Sequence, residues 1–582
     1  MWGYWEMNNK ITRRGLLGAI TATTAAACTP RKSERFSAKT SSASGLFSHG
    51  IASGDPLETA VILWTRVTAE NPANGPIEVT WEIARQSDFS QIWKSGKIMT
   101  QAARDWTVKL DAQGLEPGQS YYYRFSVDGV VSPTGKTKTL PNGQLDSARF
   151  AVASCANWQH GFFNAYDHIA RQDHFDAFIH LGDYYYEYAA DDYLDKAAEG
   201  IGRLHEPRHE IVTLDDYRMR HGQYRTDPGL QGITAKMPMI AIWDDHETSN
   251  DSWKEGAENH DADEGDWDAR RQAALRAYYE WMPIREPRPG RAQSDIFRSY
   301  DYGDLLTLLT VETRLTARAC PIIIEDHFAD ISAKGSSDDF QTEILRDPSR
   351  EMFGQLQSDF IIDKLKTSKA AGKSWRIMAN QVIMGRLLTP DLSPYVSEEA
   401  MINIEPEWPG IRDFVGLSKY NLPVYPDSWD GYPIARENFY ARLIAEDVQD
   451  LLVLTGDAHE FWVNDLTSEA GEKVGLELVT SSISSKTLTA YLGNATSDYN
   501  LLLTQSNPDA HYYNALHNGY IDLTLTPNKG HVKMMCVSTV IQKDYEAFTT
   551  AEFTLRKSGE SIKATSPKGL DLKQRALFSG LG

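Results

Sequence analysis

The amino-acid sequence predicts a small all-β unit followed by a larger α/β domain, with sheets inside and helices outside. Three observations carry this expectation. Before about residue 140, short β-branched and aromatic runs recur between Gly, Pro and Asn turns. From Ala148 onward, apolar strand-like runs alternate with helical ones. The 582 residues are also too many for one ordinary core, and a 41% hydrophobic fraction supplies material for more than one.

The β unit is expected over 45–140. Its strands are AVILWTRV (60–67), IEVTWEIAR (77–85), WTVKLD (106–111) and SYYYRFSVDG (120–129). In the last of these, Tyr121, Tyr123 and Phe125 alternate onto one face, as in a half-buried strand. Leu115-Glu116-Pro117-Gly118 is a turn before it. The sum is similar to a fibronectin-III-like sandwich of about 100 residues. No constellation of reactive side chains falls in this unit, which reads as a structural lid or spacer.

In the α/β domain, expected over 148–540, the strands include RFAVAS, DAFIHL, MPMIAIWD, LLTLLTVET, WRIMAN and LLVLTGD. Helical patterns surround Asp216–Tyr224, Asp268–Trp281, Phe353–Leu365 and Arg436–Asp447. The stretch Phe150–Tyr188 organises the domain: one strand ends at Cys155, an amphipathic helix follows, and a second strand ends at Asp183. Both side chains thus lie past carboxyl ends of neighbouring strands, where open α/β sheets keep their sites.

Three strand ends carry polar clusters: Gly182-Asp183-Tyr184-Tyr185-Tyr186, Trp243-Asp244-Asp245-His246-Glu247 with Asn250 beyond, and Gly456-Asp457-Ala458-His459. Taken singly, each has a plain structural explanation. A Gly-Asp pair after a strand makes an Asx turn, Asp opens helices as an N-cap, and an isolated cysteine is a small core residue. Their combination at the ends of apolar strands points instead to ligands for two metal ions. Asp183 can share its two oxygens between two cations. Tyr186, three residues on, can turn back as a phenolate, a ligand that favours Fe(III).

The set ASCAN, HLGDYYYEY, WDDHETSND and TGDAHEFW resembles the PhoD-type alkaline phosphatases of the calcineurin-like metallophosphoesterase superfamily. HGIASGDPLETAVILWTRV, GLEPGQSYYYRF, VETR, ANQV and DSWDGYP add matches in the same order, over roughly residues 47 to 525. The resemblance implies a four-layer αββα metallophosphatase sandwich with a dinuclear site between its sheets. It implies Fe(3+) held by Cys155, Tyr186 and His459, with Asp183 bridging to a second ion. It implies one or two Ca(2+) ions held by Asp245 and Asp457, with Asn380 or Gln381 where many relatives carry histidine. His246 is expected to face the phosphate, and Asn250 to contact either substrate or metal. Arg314 and Arg386 are expected either to clamp a phosphate oxygen or to serve as surface ion-pair partners.

The expected activity is hydrolysis of phosphate monoesters and diesters for phosphate scavenging, by attack of a metal-bound hydroxide. Two cations about 3.5–4 Å apart bind the phosphoryl oxygens and orient the attack, with no nucleophilic Ser or Thr required. His246 stabilises charge or protonates the leaving oxygen. A phospholipase-D-like preference for diesters is the first alternative. A non-catalytic metal-binding envelope protein, with the β unit as an adhesion module, is the remote one. The formal charge of −21 argues against nucleic acid or an anionic membrane surface as partner.

At the N-terminus, KITRRGLLGAITATTAAAC combines Arg13 and Arg14 with an apolar run and A-x-A spacing, a twin-arginine signal expected over 1–29. It predicts Tat export to the periplasm or beyond, with Cys28 as a site for a lipid anchor. The apolar run is too short to span a bilayer, so no transmembrane helix is expected in the mature chain. Residues 30–44 read as a flexible linker. Residues 541–582 read as the end of a β hairpin and a tail in which Arg575 or Phe578 gates the site or is disordered. Four cysteines are too few and scattered for a disulfide framework, and Cys320 and Cys536 read as core residues. The protein is expected to act as a monomer.

Overall fold

A computed structural model describes residues 33–39, 45–68, 75–406, 408–492, 496–559 and 561–565. The expected signal sequence, Cys28, Arg575 and Phe578 lie outside these. Among the described residues no helix is long and apolar enough to cross a membrane.

The α/β region is built on two sheets. The first runs in the order Glu34–Ser37, Asp544–Ser558, Gly530–Val537, Gly519–Leu525, Ala148–Ala153, Ala177–His180, Met239–Ala241, Ile51–Gly54, Ala60–Arg66, Thr107–Gln113. The second runs Arg298–Tyr302, Leu306–Thr310, Trp375–Ala379, Leu451–Thr455, Lys473–Val479, Phe461–Thr467, Ala510–Asn514. In the first sheet the central strands Ala148–Ala153, Ala177–His180 and Met239–Ala241 are parallel. In the second, the four from Leu306–Thr310 to Lys473–Val479 are parallel too.

The strand sequences explain the layers. Each central strand is buried on both faces, so it reads as a continuous apolar run rather than an alternation. Phe150, Val152, Ile179 and Ile240 meet Leu306, Leu308, Ile377, Leu452 and Leu454 between the sheets. The intervening Ala151, Ala153, Phe178 and Met239 face Ile169, Tyr217, Leu230 and Tyr278 of outer helices. On the far side, Leu309, Met378 and Val453 pack against Ile361, Leu365, Phe439 and Leu443. The result is the expected αββα sandwich.

Three of the N-terminal strands do not stand apart. Ile51–Gly54 pairs in parallel with Met239–Ala241 through Gly54, and Ala60–Arg66 and Thr107–Gln113 continue the first sheet. A five-stranded sheet built from Ile77–Ala84, Ile92–Thr100, Ser120–Val127, Val130–Val131 and Gly135–Lys138 covers them. Val79, Ile83, Tyr121, Tyr123 and Phe125 meet Ile51, Val61, Leu63 and Val108 in that sandwich. Asp55 locks the junction: it accepts from the Arg285 N–H at 2.7 Å and the Tyr300 hydroxyl at 2.8 Å, and pairs with Arg298.

Four expectations need correction. Residues 34–37 of the supposed linker form an edge strand on Asp544–Ala547, because Phe36 stacks on Tyr545 and an open sheet edge offers backbone partners. The C-terminal hairpin pairs as expected, but its strand Asp544–Ser558, expected outside the α/β domain, belongs to the first sheet. The strand Ile92–Thr100 has no counterpart among the expected strands, because a lysine stands on each of its faces, Lys97 exposed and Lys94 half-buried, and its centre is Gly96. Cys536 is buried, but Cys320 is exposed on the loop after Leu306–Thr310.

At the junction, a Cβ on Gly54 would lie 2.5 Å from the Pro283 carbonyl oxygen and 2.6 Å from that of Met239. Gly54→Ala is therefore expected to destabilise the protein by about 1–3 kcal/mol in urea unfolding. An unchanged midpoint would show that the N-terminal strands are not close-packed against Met239 and Pro283.

Candidate metal centre

The strand exits Cys155, Asp183, Asp245 and Asp457 converge where the ends of both sheets meet. Ser154 forms a parallel bridge with Ser482, and the Ile483 N–H donates to the Ser154 carbonyl at 3.0 Å, so one sheet hands over to the other there. Gly182 permits this crowding: a Cβ on it would lie 2.4 Å from the Asp244 Cβ, and its φ is 107°.

Cys155 (φ 62°), Asp183 (φ 55°), Asp457 (φ 62°) and His459 (φ 60°) all hold left-handed backbone. Such strain costs about 1–3 kcal/mol per residue and persists where surrounding contacts impose it, typically at functional sites. One such contact is Glu247, whose buried carboxylate accepts from the backbone N–H groups of Asp183 (3.0 Å), Tyr184 (2.6 Å) and Asp244 (2.8 Å). It ties together the exits of two neighbouring strands.

Three groups of side chains bring potential ligand atoms within 4.8 Å of one another: Cys155, Asp183 and His459; Asp183, Asp245 and His246; Asp244, Asp245 and Asp457. Asp183 is common to the first two. The Tyr186 hydroxyl lies 3.0 Å from both Asp183 Oδ2 and His459 Nε2, and it accepts from the Ser485 hydroxyl at 2.7 Å. His459 Nδ1 donates to the Lys486 carbonyl at 2.8 Å, which leaves Nε2 aimed inward.

Cation binding fits these residues. Asp183 Oδ1, Asp244 Oδ2, Asp245 Oδ1 and Asn380 Oδ1 are buried acceptors without a hydrogen-bond partner among the described residues. Burial, then the Asp183 charge, pushes the Cys155 thiol well above its ordinary value. The Tyr186 hydroxyl is pushed up by the same two causes. Neighbouring cations would reverse that balance and draw out the thiolate and phenolate.

His246 lies over the Tyr186 ring at 4.1 Å and lines the pocket. Its Nδ1 meets Glu187 Oε2 at 2.7 Å, while Glu187 Oε1 accepts from the Asn250 N–H and the Asn259 amide. Burial works against a charged imidazole, but Glu187, Asp245 and Asp183 outweigh it and hold the ring well above its ordinary value. Asn250 lines the same pocket, its amide nitrogen donating to Glu258 at 2.9 Å.

The remaining expected residues divide. Gln381 is fully engaged, its amide donating to the Trp243 and Val311 carbonyls and its oxygen accepting from Thr313. Asn380 is the one with an unpartnered oxygen, although it does not line the pocket. Arg314 is not among the residues that line the pocket. It is wholly buried and paired with Asp244, Asp427, Asp245 (3.4 Å) and Asp457 (3.3 Å), so the carboxylates consume the donors that a phosphate would need. Arg386 is exposed and lies outside the pocket lining.

Several participants escaped the sequence reading. Glu187, Asp244, Glu247 and Asp427 stand inside the quoted motifs, so proximity was a usable signal, but nothing distinguished their roles. Asp251 and Lys486 line the pocket with Tyr188, Tyr193, Tyr425 and Tyr491. Lys486 sits in SSISSKTL, which has no recognisable pattern.

The chain matches the model of the PhoD-like phosphatase family over residues 150–534 and that of the PhoD-like phosphatase N-terminal domain over 31–141. It is 32% identical over 537 residues to alkaline phosphatase D of Bacillus subtilis (strain 168), covering 89% of this chain and 82% of the relative. A solved structure of PhoD superposes with a TM-score of 0.72 at 29% identity, over 92% of this chain and 97% of that one.

The Glu187–His246 pair generates a prediction. Glu187→Gln removes the nearest carboxylate that favours the imidazolium, so the His246 pKa should fall, read by NMR titration of the labelled ring. An unmoved titration would show that Glu187 does not set the charge on that imidazole.

Proposed function

The chain belongs to the PhoD-like phosphatase family and is a phosphoric ester hydrolase, and from its site geometry we propose that it cleaves phosphate monoesters and diesters with two resident cations. The observation that carries this reading is the convergence of unpartnered, buried carboxylate oxygens at the ends of both sheets. Cys155, Tyr186 and His459 would hold a ferric ion, with Asp183 shared. Asp245, Asp457 and the Asn380 oxygen would hold calcium, whose preference for oxygen ligands they match. Asp244 joins this acidic set, although Arg314 takes one of its oxygens.

When bound, the cations supply the positive charge that draws an anionic ester into an acidic site and lower the pKa of water. The protein's own residues do the rest. His246, its Nδ1 held by Glu187, lines the pocket and would protonate the departing ester oxygen as water forms a new bond to phosphorus and the ester P–O bond breaks. Asn250 contacts the phosphoryl group beside it. Arg314 offsets the carboxylate charge, one of its guanidinium nitrogens bridging Asp245 and Asp457. The twin-arginine motif at Arg13 and Arg14 supports export through the Tat pathway to the periplasm or beyond.

Two measurements test this. Metal analysis of the purified protein should find iron and calcium, with a visible phenolate-to-iron band that Tyr186→Phe abolishes. Asp183→Asn should remove hydrolysis of p-nitrophenyl phosphate and its bis-ester. Full turnover by that variant would overturn the assignment.

A further inference from the structure

A second recess, of about 190 Å³, shares no lining residue with the pocket over the carboxylate cluster. Two helices begin at it. Asn164–Arg171 starts after Phe163, with no side chain capping its first turn. Pro228–Lys236 starts after Asp227, whose Oδ1 accepts from the Gly229 and Leu230 N–H groups at 2.8 and 3.1 Å. A Cβ on Gly229 would lie 3.0 Å from both the Asp167 nitrogen and the Phe163 oxygen, so the two helix starts touch. Phe163, Asp227 and Gly229 all line the recess, which places both positive helix ends at it.

Arg203 lines the recess too and is only 9% exposed. Its Nε donates to the Trp158 carbonyl and its Nη1 to Asp227 Oδ2, both at 3.1 Å. Its Nη2 has no hydrogen-bond partner among the described residues. Burial outweighs the Asp227 charge and holds this guanidinium below its ordinary value. A buried cation with a spare donor is satisfied by an anionic acceptor.

The two carboxylates of the recess are already engaged. Asp227 holds Arg203, while Asp167 pairs with Arg171 at 2.8 Å and accepts from the Tyr545 hydroxyl at 2.7 Å. Lys39 and Lys543 line the same recess and form no ion pair among the described residues. The Lys543 ammonium lies 5.2 Å from the Phe162 ring centroid. In a chain of net charge −21 this recess is therefore locally cationic.

We propose that the recess binds a small tetrahedral oxyanion between Arg203 and the two lysines, inorganic phosphate being the one that ester hydrolysis releases. Its volume holds such an ion with a few waters, at about 30 Å³ for each water. The site is separate from the metal centre and does not depend on the two-cation reading.

Two measurements on the metal-loaded chain test it. A crystal soaked in selenate should show an anomalous peak within hydrogen-bond distance of Arg203 Nη2. Titration calorimetry with phosphate, at fixed ionic strength, should show a second class of site beside the metal centre. Lys39→Ala with Lys543→Ala changes two exposed positions and should weaken that class about tenfold or more. Turnover of p-nitrophenyl phosphate should stay as in the wild type. Arg203→Gln should abolish the second class, and the lysine pair carries the test if that variant does not fold. No peak in the recess, a single class of phosphate site in the wild type, or two classes unmoved by the lysine pair would overturn the proposal. Chloride binding as tightly as phosphate would also overturn it, since that is charge attraction without recognition of an oxyanion.

Discussion

Crowding of carboxylates at one end of the two sheets is the constraint on which the structure depends. Asp183, Asp244, Asp245, Asp427 and Asp457 are gathered in a region of low water access, where mutual repulsion is strong. The buried Arg314 guanidinium meets four of them, and Arg318 adds a second contact to Asp427. One or two guanidinium groups do not balance the whole set. Asp183 Oδ1 and Asp244 Oδ2 are left with no partner among the described residues, and this is what makes the centre a place for cations.

The backbone carries the cost of this arrangement. Four of the converging residues hold left-handed φ, and Glu247 anchors two of the turns through three amides. Around them lies a second set of contacts that orients individual rings. Glu187 directs His246, the Lys486 carbonyl directs His459, and Ser485 directs Tyr186. Ser485 and Lys486 are neighbours on the loop after Lys473–Val479, whereas Glu187 lies on the loop after Ala177–His180. The precision of the centre therefore depends on both sheets being in register at Ser154 and Ser482.

The N-terminal β region extends this scaffold. Its strands continue the first sheet through Gly54, and the Asp55 contacts to Arg285, Arg298 and Tyr300 join it to the edge of the second. The sequence pattern marks Ala60–Arg66 and Thr107–Gln113 but not Ile51–Gly54, and it cannot say which sheet they join. Strand pairing is a long-range property, and alternation records only which face is buried.

The sequence by itself determined the layered α/β class, because doubly buried parallel strands read as continuous apolar runs and their helices as periodic ones. It also determined the clusters at 183, 245 and 457, because Gly-Asp and Asp-Asp-His at strand ends are local patterns. Only the tertiary structure decided what each neighbouring charge does. Arg314 and Gln381 carry the right chemistry for a substrate or a metal, yet contacts from distant segments occupy the Arg314 donors and the Gln381 oxygen. Asn380 differs from Gln381 only in which amide oxygen is left unpartnered. Lys486, in a stretch without pattern, reaches the pocket because the loop after Lys473–Val479 meets the strand end at Ser154. Long-range packing brings those segments together, and no local spacing encodes it.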